Sequence, residues 1–310
     1  MSPPDDHRAE GAKPRPFPFS LVTSLPPLTQ RVISSCLAFS SLLLAMWIGL
    51  PLLGPAYIIL SLLALTEYSY MMNLRGIPIR KRSLWAATLL TLPASLPVTY
   101  DGVFQMQPLF DGVSWREAIL GLFAFYLISL EVIRPNQNSL YSVVFTLFGY
   151  VYIPWMLGFA ISLRFTPDGV LGLWYLMLPL LAIFASDIGS YTFGRLFGRR
   201  ALAPSISPGK TLEGSLGGLG FAAFTVATVA WALKSWLNTE LNLYDGLLFS
   251  ILVASAAQLG DLFESLIKRW AGVKDSGALI PGHGGVLDRI DSVIFAVPIT
   301  YFFVTLVILR

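Results

Sequence analysis

Apolar residues run along this chain in long blocks. Each is close to the roughly 20 residues a helix needs to cross a hydrocarbon layer about 30 Å thick. Nine blocks stand out, at residues 32–50, 54–73, 84–100, 117–133, 140–162, 169–190, 212–236, 245–268 and 290–309. Pro51 and Gly54 separate the first two. None alternates with the two-residue period of a membrane barrel strand, so the pattern predicts an all-α, polytopic membrane protein with about nine transmembrane helices.

Residues 1–28 break the pattern. Seven prolines and scattered charges there predict a disordered tail. The tail lacks a basic start, short apolar run and small-residue cleavage site, so the first block is expected to remain as an anchor. The expected organisation is a tail at 1–28, N-terminal transmembrane helices at 29–170 and a catalytic transmembrane region at 171–310. The basic residues then set an orientation. Alternate connections carry 17 Lys and Arg, against 4 on the other side. That asymmetry predicts a cytoplasmic N-terminus. The expected location is the cell's inner (plasma) membrane.

Composition narrows the class further. The chain of 310 residues is 55 % hydrophobic and only 13 % charged, against roughly 25 % charged in soluble domains. So little charge cannot cover the surface of a soluble enzyme of this size, and the apolar content excludes whole-chain disorder. Cys36 is the single cysteine, which excludes an intramolecular disulfide. The two histidines, His7 and His283, exclude a site built from several His ligands.

Acids inside apolar spans cost about 2.5–3.5 kcal/mol on insertion scales, so they tend to face a cavity or a partner. Asp187, Glu213, Asp261, Glu264, Asp288 and Asp291 fall near the end of their spans that the charge count places in the cytoplasm. Oxygen ligands of this kind suit a hard divalent cation. Asp261, Glu264, Ser265 and Lys268 are spaced i, i+3, i+4, i+7, on one helical face. Asp288, Asp291 and Ser292 repeat the i, i+3, i+4 spacing. Pairing of the first acids with Lys268 or Arg269 explains the first set equally well.

Between these segments lies the loop 269–287. Gly282, Gly284 and Gly285 free the backbone to turn N–H groups toward an anion, and Lys274 and His283 add donors. The alternative is a flexible cytoplasmic loop with turn glycines. A second anion site is expected at 187–214, where Ser207, Pro208, Gly209, Lys210 and Thr211 precede an apolar helix. Pro204 stands where a P-loop would need its first glycine, which excludes a soluble NTPase. Arg195, Arg199 and Arg200 serve either this site or anchoring to anionic headgroups. Carboxylates, cationic loops and a membrane scaffold together describe phosphoryl or nucleotidyl transfer onto a lipid, which needs positioning and charge neutralisation. No GxSxG elbow or cysteine nucleophile supports an intramembrane hydrolase.

The stretch SLIKRWAGVKDSGALIPGHGGVLDRID, Ser265 to Asp291, resembles the signature of the phosphatidate cytidylyltransferase (CDP-diacylglycerol synthase) family at every specified position. Upstream, Asp187, Gly189, Tyr191, Gly194, Arg195, Ser207, Pro208, Lys210, Thr211, Glu213 and Gly214 resemble a second family block. Gly209 stands where that block commonly has a lysine. The resemblance covers residues 180–310; upstream only hydropathy agrees.

It implies transfer of a cytidylyl group from CTP to phosphatidate, giving CDP-diacylglycerol and pyrophosphate. It also implies Mg²⁺, with room for a second metal ion, a cytoplasm-facing polar cavity and a homodimer. The partners expected are CTP, phosphatidate and the lipid bilayer, and no nucleic acid. By the motif, Asp261, Asp288, Lys268 and His283 are the catalytic candidates. Asp261 and Asp288 would ligate metal, with Glu264 and Asp291 further candidates for the same shell. Lys210, Ser207, Thr211, Lys274, Gly284, Gly285 and Arg289 would bind the phosphates or CTP. Asp187, Arg195 and Glu213 are additional polar candidates. The acyl chains are expected to stay in lipid, with no large apolar tunnel. A CTP-dependent polyprenol kinase and an ion-coupled transporter are the alternatives.

Overall fold

A computed structural model describes residues 27–96, 114–136, 138–166, 169–237, 242–277 and 284–309. Residues 1–26 of the predicted tail, and His283, lie outside the described residues. The chain is mostly helical: α1 Pro27–Ile48, α2 Leu50–Leu74, α3 Lys81–Ala94, α4 Trp115–Ile133, α5 Ser139–Tyr150, α6 Phe159–Arg164, α7 Val170–Phe197, α8 Leu212–Leu237, α9 Leu243–Ala271 and α10 Leu287–Phe303. A π-helical turn at Val151–Trp155, holding Pro154, joins α5 to α6, and another at Val304–Ile308 extends α10.

Among the described residues, six helical stretches are long and apolar enough to cross a membrane: Leu50–Leu74, Ser139–Arg164, Val170–Phe197, Leu212–Ala232, Leu243–Ala271 and Leu287–Ile308. The remaining predicted blocks map onto shorter or more charged helices. The apolar part of α1 among the described residues, Cys36–Ile48, is short. α3 has 14 residues, and residues 97–100 of its predicted block lie outside the described residues. α4 carries Arg116, Glu117 and Glu131.

These charges have local uses. The backbone N–H of Ser114 donates to the Glu117 carboxylate (2.6 Å), the reciprocal half of a capping box that starts α4. Glu131 pairs with Arg80 at 2.7 Å. Arg116, 7 % exposed, donates to Trp155 O (2.5 Å) and lies over the Phe159 ring. Glycine ends α9, where Gly272 adopts φ 81°.

α7, α8, α9 and α10 form the packed body of the C-terminal half, and α7 and α8 approach most closely. A Cβ on Gly218 would stand 2.1 Å from Ser190 Oγ and 2.7 Å from Ser186 O; one on Gly217 would meet Phe193 at 2.4 Å. Small residues let membrane helices touch along their backbones in this way. Gly260 does the same between α9 and α10, where a Cβ would lie 2.6 Å from Asp291 O. The second contact sets Asp261, next in sequence to Gly260, close to Asp291.

One element departs from the all-α expectation. Ala201–Ala203 (β1) pairs antiparallel with Ser207–Thr211 (β2), with Ala201 opposite Thr211 and Ala203 opposite Ser207. Pro204 and Pro208 bar a helix here, and the short hairpin delivers Lys210 to the foot of α8.

Candidate active site

Two sets of charged side chains meet where α7, α9 and α10 converge. The first joins the hairpin to α9: Lys210 Nζ makes an ion pair with Asp261 Oδ2. The second joins α9 to α10. Lys268 Nζ lies 2.6 Å from Asp288 Oδ1 and pairs also with Glu264 one turn earlier. Glu264 is fully buried, and its Oε1 has no hydrogen-bond partner among the described residues.

Asp288 is held firmly. Its Oδ2 accepts from Gly285 N (2.8 Å), Ser276 N (3.1 Å) and Ser276 Oγ (3.0 Å). Three donors on one oxygen aim the other toward Lys268. Asp291, also buried, accepts from Ser292 N at 2.6 Å.

A cavity of about 410 Å³ opens beside the first set, lined by Asp187, Arg195, Lys210, Thr211, Gln258 and Asp261. A second, of about 470 Å³, shares Asp187, Asp261 and Ser292 and adds Lys268, Asp288 and Asp291. It continues into an apolar recess between α1, α2, α6, α7 and α10, past Met46, Tyr57, Leu60, Ala160 and Leu176. Sequence reasoning foresaw no such recess.

Several candidates have other local partners. Glu213 Oε2 accepts from the N–H groups of Arg199 and Arg200 (3.0 and 3.1 Å), tying the start of the hairpin to α8. Thr211 Oγ1 accepts from Gly214 N at 3.1 Å, capping α8. Arg195 donates to Tyr191 Oη at 3.1 Å. Ser207 is half-buried on β2, and Lys274 and Arg289 are exposed. Gly284 has φ +82°, a conformation suited to glycine, and the N–H of Gly285 is engaged by Asp288.

Two residues of the site were missed from sequence. Gln258 on α9 donates to Ser186 Oγ (3.0 Å) and Ser215 O (3.2 Å), linking three helices beside Asp261. Glu67 on α2 reaches the loop before α10, where it accepts from Val286 N (2.9 Å), Leu287 N (2.8 Å) and Ser276 Oγ (3.0 Å). Both carried the same signal as the residues that were found: a polar group inside an apolar stretch.

A model of the family described as "Cytidylyltransferase family" matches residues 29–307. The chain belongs to the cytidylyltransferase family. It is 34 % identical over 310 aligned residues to the phosphatidate cytidylyltransferase of Synechocystis sp., covering 90 % of this chain and 97 % of that one. It is 35 % identical to the enzyme of that name from Haemophilus influenzae, covering 89 % and 99 %. It is 40 % identical to that from Staphylococcus haemolyticus, over 57 % of this chain and 64 % of the relative. In this cytidylyltransferase no three His, Cys, Asp or Glu side chains converge as a ready-made metal cage among the described residues. The donors on one shared cavity wall are nonetheless hard carboxylate oxygens. Mg²⁺ is typically held by one or two carboxylates together with substrate phosphates, and that donor set fits it.

Proposed function

We propose that this chain transfers the cytidylyl group of CTP to phosphatidate, releasing pyrophosphate and leaving CDP-diacylglycerol in the membrane. One observation carries the reading. In a cytidylyltransferase-family chain, two lysine–aspartate pairs line joined cavities that are polar at one end and apolar at the other. Such a site suits a nucleotide and a lipid at once.

In the reaction a phosphate oxygen of phosphatidate attacks the α-phosphorus of CTP. The bond from that phosphorus to the bridging oxygen breaks, and pyrophosphate leaves. The nucleophile is already an anion, so no strong base is required; the obstacle is repulsion between two polyanions. Lys210, with Arg195 on the same cavity wall, offers positive charge to the triphosphate. Lys268 offers it where the lipid phosphate approaches. Mg²⁺, held by Asp261 and Asp288 with Asp291 and Glu264 close by, would neutralise charge on the phosphates and the leaving group. Lys274, Arg289 and His283 are further phosphate contacts. The apolar recess takes the first part of an acyl chain.

The finer architecture follows the same reading. The chain crosses the inner membrane nine times with the N-terminus and active site cytoplasmic, supported by the 17-to-4 division of basic residues, and acts as a homodimer.

Purified protein given CTP labelled at the α-phosphorus and phosphatidate tests the reaction. Mg²⁺-dependent labelled CDP-diacylglycerol with equimolar pyrophosphate is the expected result, lost with EDTA. Release of CDP would instead indicate a lipid kinase, and flux into sealed vesicles without chemical change a transporter.

A further inference from the structure

We infer that Glu67, on α2 in the N-terminal half, is a positioning residue that fixes the orientation of Asp288 by clamping both ends of the loop between α9 and α10. This goes beyond the cytidylyltransferase reading and rests on it for its kinetic arm.

Glu67 is 5 % exposed. Its contacts among the described residues come from donors of the loop and the start of α10 rather than from a basic side chain. Val286 N donates to Oε1, while Leu287 N and Ser276 Oγ lie 2.8 and 3.0 Å from Oε2. Val286 and Leu287 open α10, so the carboxylate sits on a helix N-terminus, where negative charge is favoured. The loop thus meets the same carboxylate twice, once through Ser276 near its start and once through Val286 and Leu287 at its end.

Close approach explains two glycines of the loop. A Cβ on Gly277 would stand 2.5 Å from Glu67 Oε1. One on Gly285 would stand 2.6 Å from Glu67 Oε2 and 2.0 Å from Ser276 Oγ. Gly285 is therefore required so that the loop can close on Glu67, whatever else its backbone does.

The clamp leads directly to Asp288. The Ser276 hydroxyl lies 3.0 Å from both Glu67 Oε2 and Asp288 Oδ2, and it has one hydrogen to share between them. Ser276 N and Gly285 N, from the two clamped segments, are the other donors to Asp288 Oδ2. With Oδ2 held by the loop, Oδ1 is left facing Lys268. A run of contacts therefore joins Glu67, Ser276, Asp288, Lys268 and Glu264. The N-terminal helices, beyond anchoring the chain, set the geometry of the reacting centre.

The test uses the full-length wild type, Glu67→Gln, Ser276→Ala and the double variant in detergent. Three quantities are read: hydrogen exchange by peptide, thermal unfolding, and steady-state kinetics with CTP and phosphatidate. In Glu67→Gln, exchange over 272–277 and 284–290 should rise at least tenfold while peptides from α7 and α8 keep wild-type protection. kcat should fall about 10–100-fold, as when groups that orient a reactive side chain are removed. KM for CTP should stay within threefold, because Lys210 lies on another element. Ser276→Ala should move the same quantities less, and the double variant should be no worse than Glu67→Gln alone.

Wild-type exchange over 272–277 and 284–290 in both single variants overturns the inference. So does a lowered unfolding temperature with exchange raised everywhere and kcat per folded molecule unchanged, which is simple structural support. If Glu67→Gln does not fold, Ser276→Ala with wild-type exchange and kcat overturns it. A wild type that makes no CDP-diacylglycerol rejects the cytidylyl-transfer reading instead, and the exchange comparison still decides whether Glu67 fixes the loop.

Discussion

Lys210 of the β hairpin forms an ion pair with Asp261 of α9, and both side chains are about one-third exposed (33 % and 35 %) to the cavity. Pairs this open contribute about 0–1 kcal/mol to stability. A pair that contributes little to folding yet faces the cavity is best explained by its chemistry. Asp261→Asn and Lys210→Met should therefore leave the unfolding temperature within a degree or two of wild type. Each should lower kcat/KM for CTP about 100-fold or more, the scale seen when a preorganised charge is removed. Turnover near wild type in Asp261→Asn would remove that residue from the proposed metal ligands.

The second pair should behave in the opposite way. Lys268, Asp288 and Glu264 are 13 %, 12 % and 0 % exposed at the side chain. Removing the ammonium leaves two buried acids without their cation, and breaking such buried sets costs about 3–5 kcal/mol. Lys268→Met should thus lower the unfolding temperature clearly as well as activity. Glu264→Gln keeps the Lys268–Asp288 contact and should reduce turnover less than Asp288→Asn. An equal loss would move Glu264 into direct contact with metal or phosphate. Thermal unfolding followed by lipid-product assay on the same preparations separates these outcomes.

Helix contact supplies a third prediction. Gly218 on α8 leaves no room for a methyl group against Ser190 Oγ and Ser186 O of α7. Gly218→Ala must push α7 from α8, an overpacking change that typically costs about 1–3 kcal/mol. The displaced α7 carries Asp187 and the Ser186 partner of Gln258. Gly220, with open space around its Cα, is the control. Gly218→Ala should lower both unfolding temperature and turnover, while Gly220→Ala should change neither appreciably.

How legible this was from sequence varies residue by residue. Asp261, Lys268 and Asp288 were visible because charges at helical spacing inside apolar stretches are costly and therefore informative. Which lysine meets which acid was not visible: Lys268 pairs within its own helix and also reaches α10, and Lys210 reaches across from a hairpin. That hairpin was missed because strands of three and five residues carry no periodicity, although Pro204 and Pro208 already argued against helix. Glu67 was passed over as one acid in an otherwise apolar block, since its partners are backbone N–H groups some 200 residues away in sequence. Hydropathy found the long apolar helices. It ran less cleanly over α3 and α4, where helix length and end charges decide.

The apolar recess yields a prediction that sequence reasoning would not have made. If phosphatidate kept its chains wholly in lipid, filling the recess would leave its KM unchanged. Ala160 on α6 lines that recess along with Leu60 of α2 and Leu176 of α7, whereas the charged groups of the same cavity stand on α7, α9 and α10. Ala160→Phe should fill part of a cavity of about 470 Å³. KM for long-chain phosphatidate should rise several-fold, since each CH₂ kept from burial forfeits about 0.8 kcal/mol. Short-chain phosphatidate should be affected less, and KM for CTP should not move. Equal effects on both lipids would mean that the recess does not receive the chain. A shift in KM for CTP would mean that the substitution had disturbed the polar end instead.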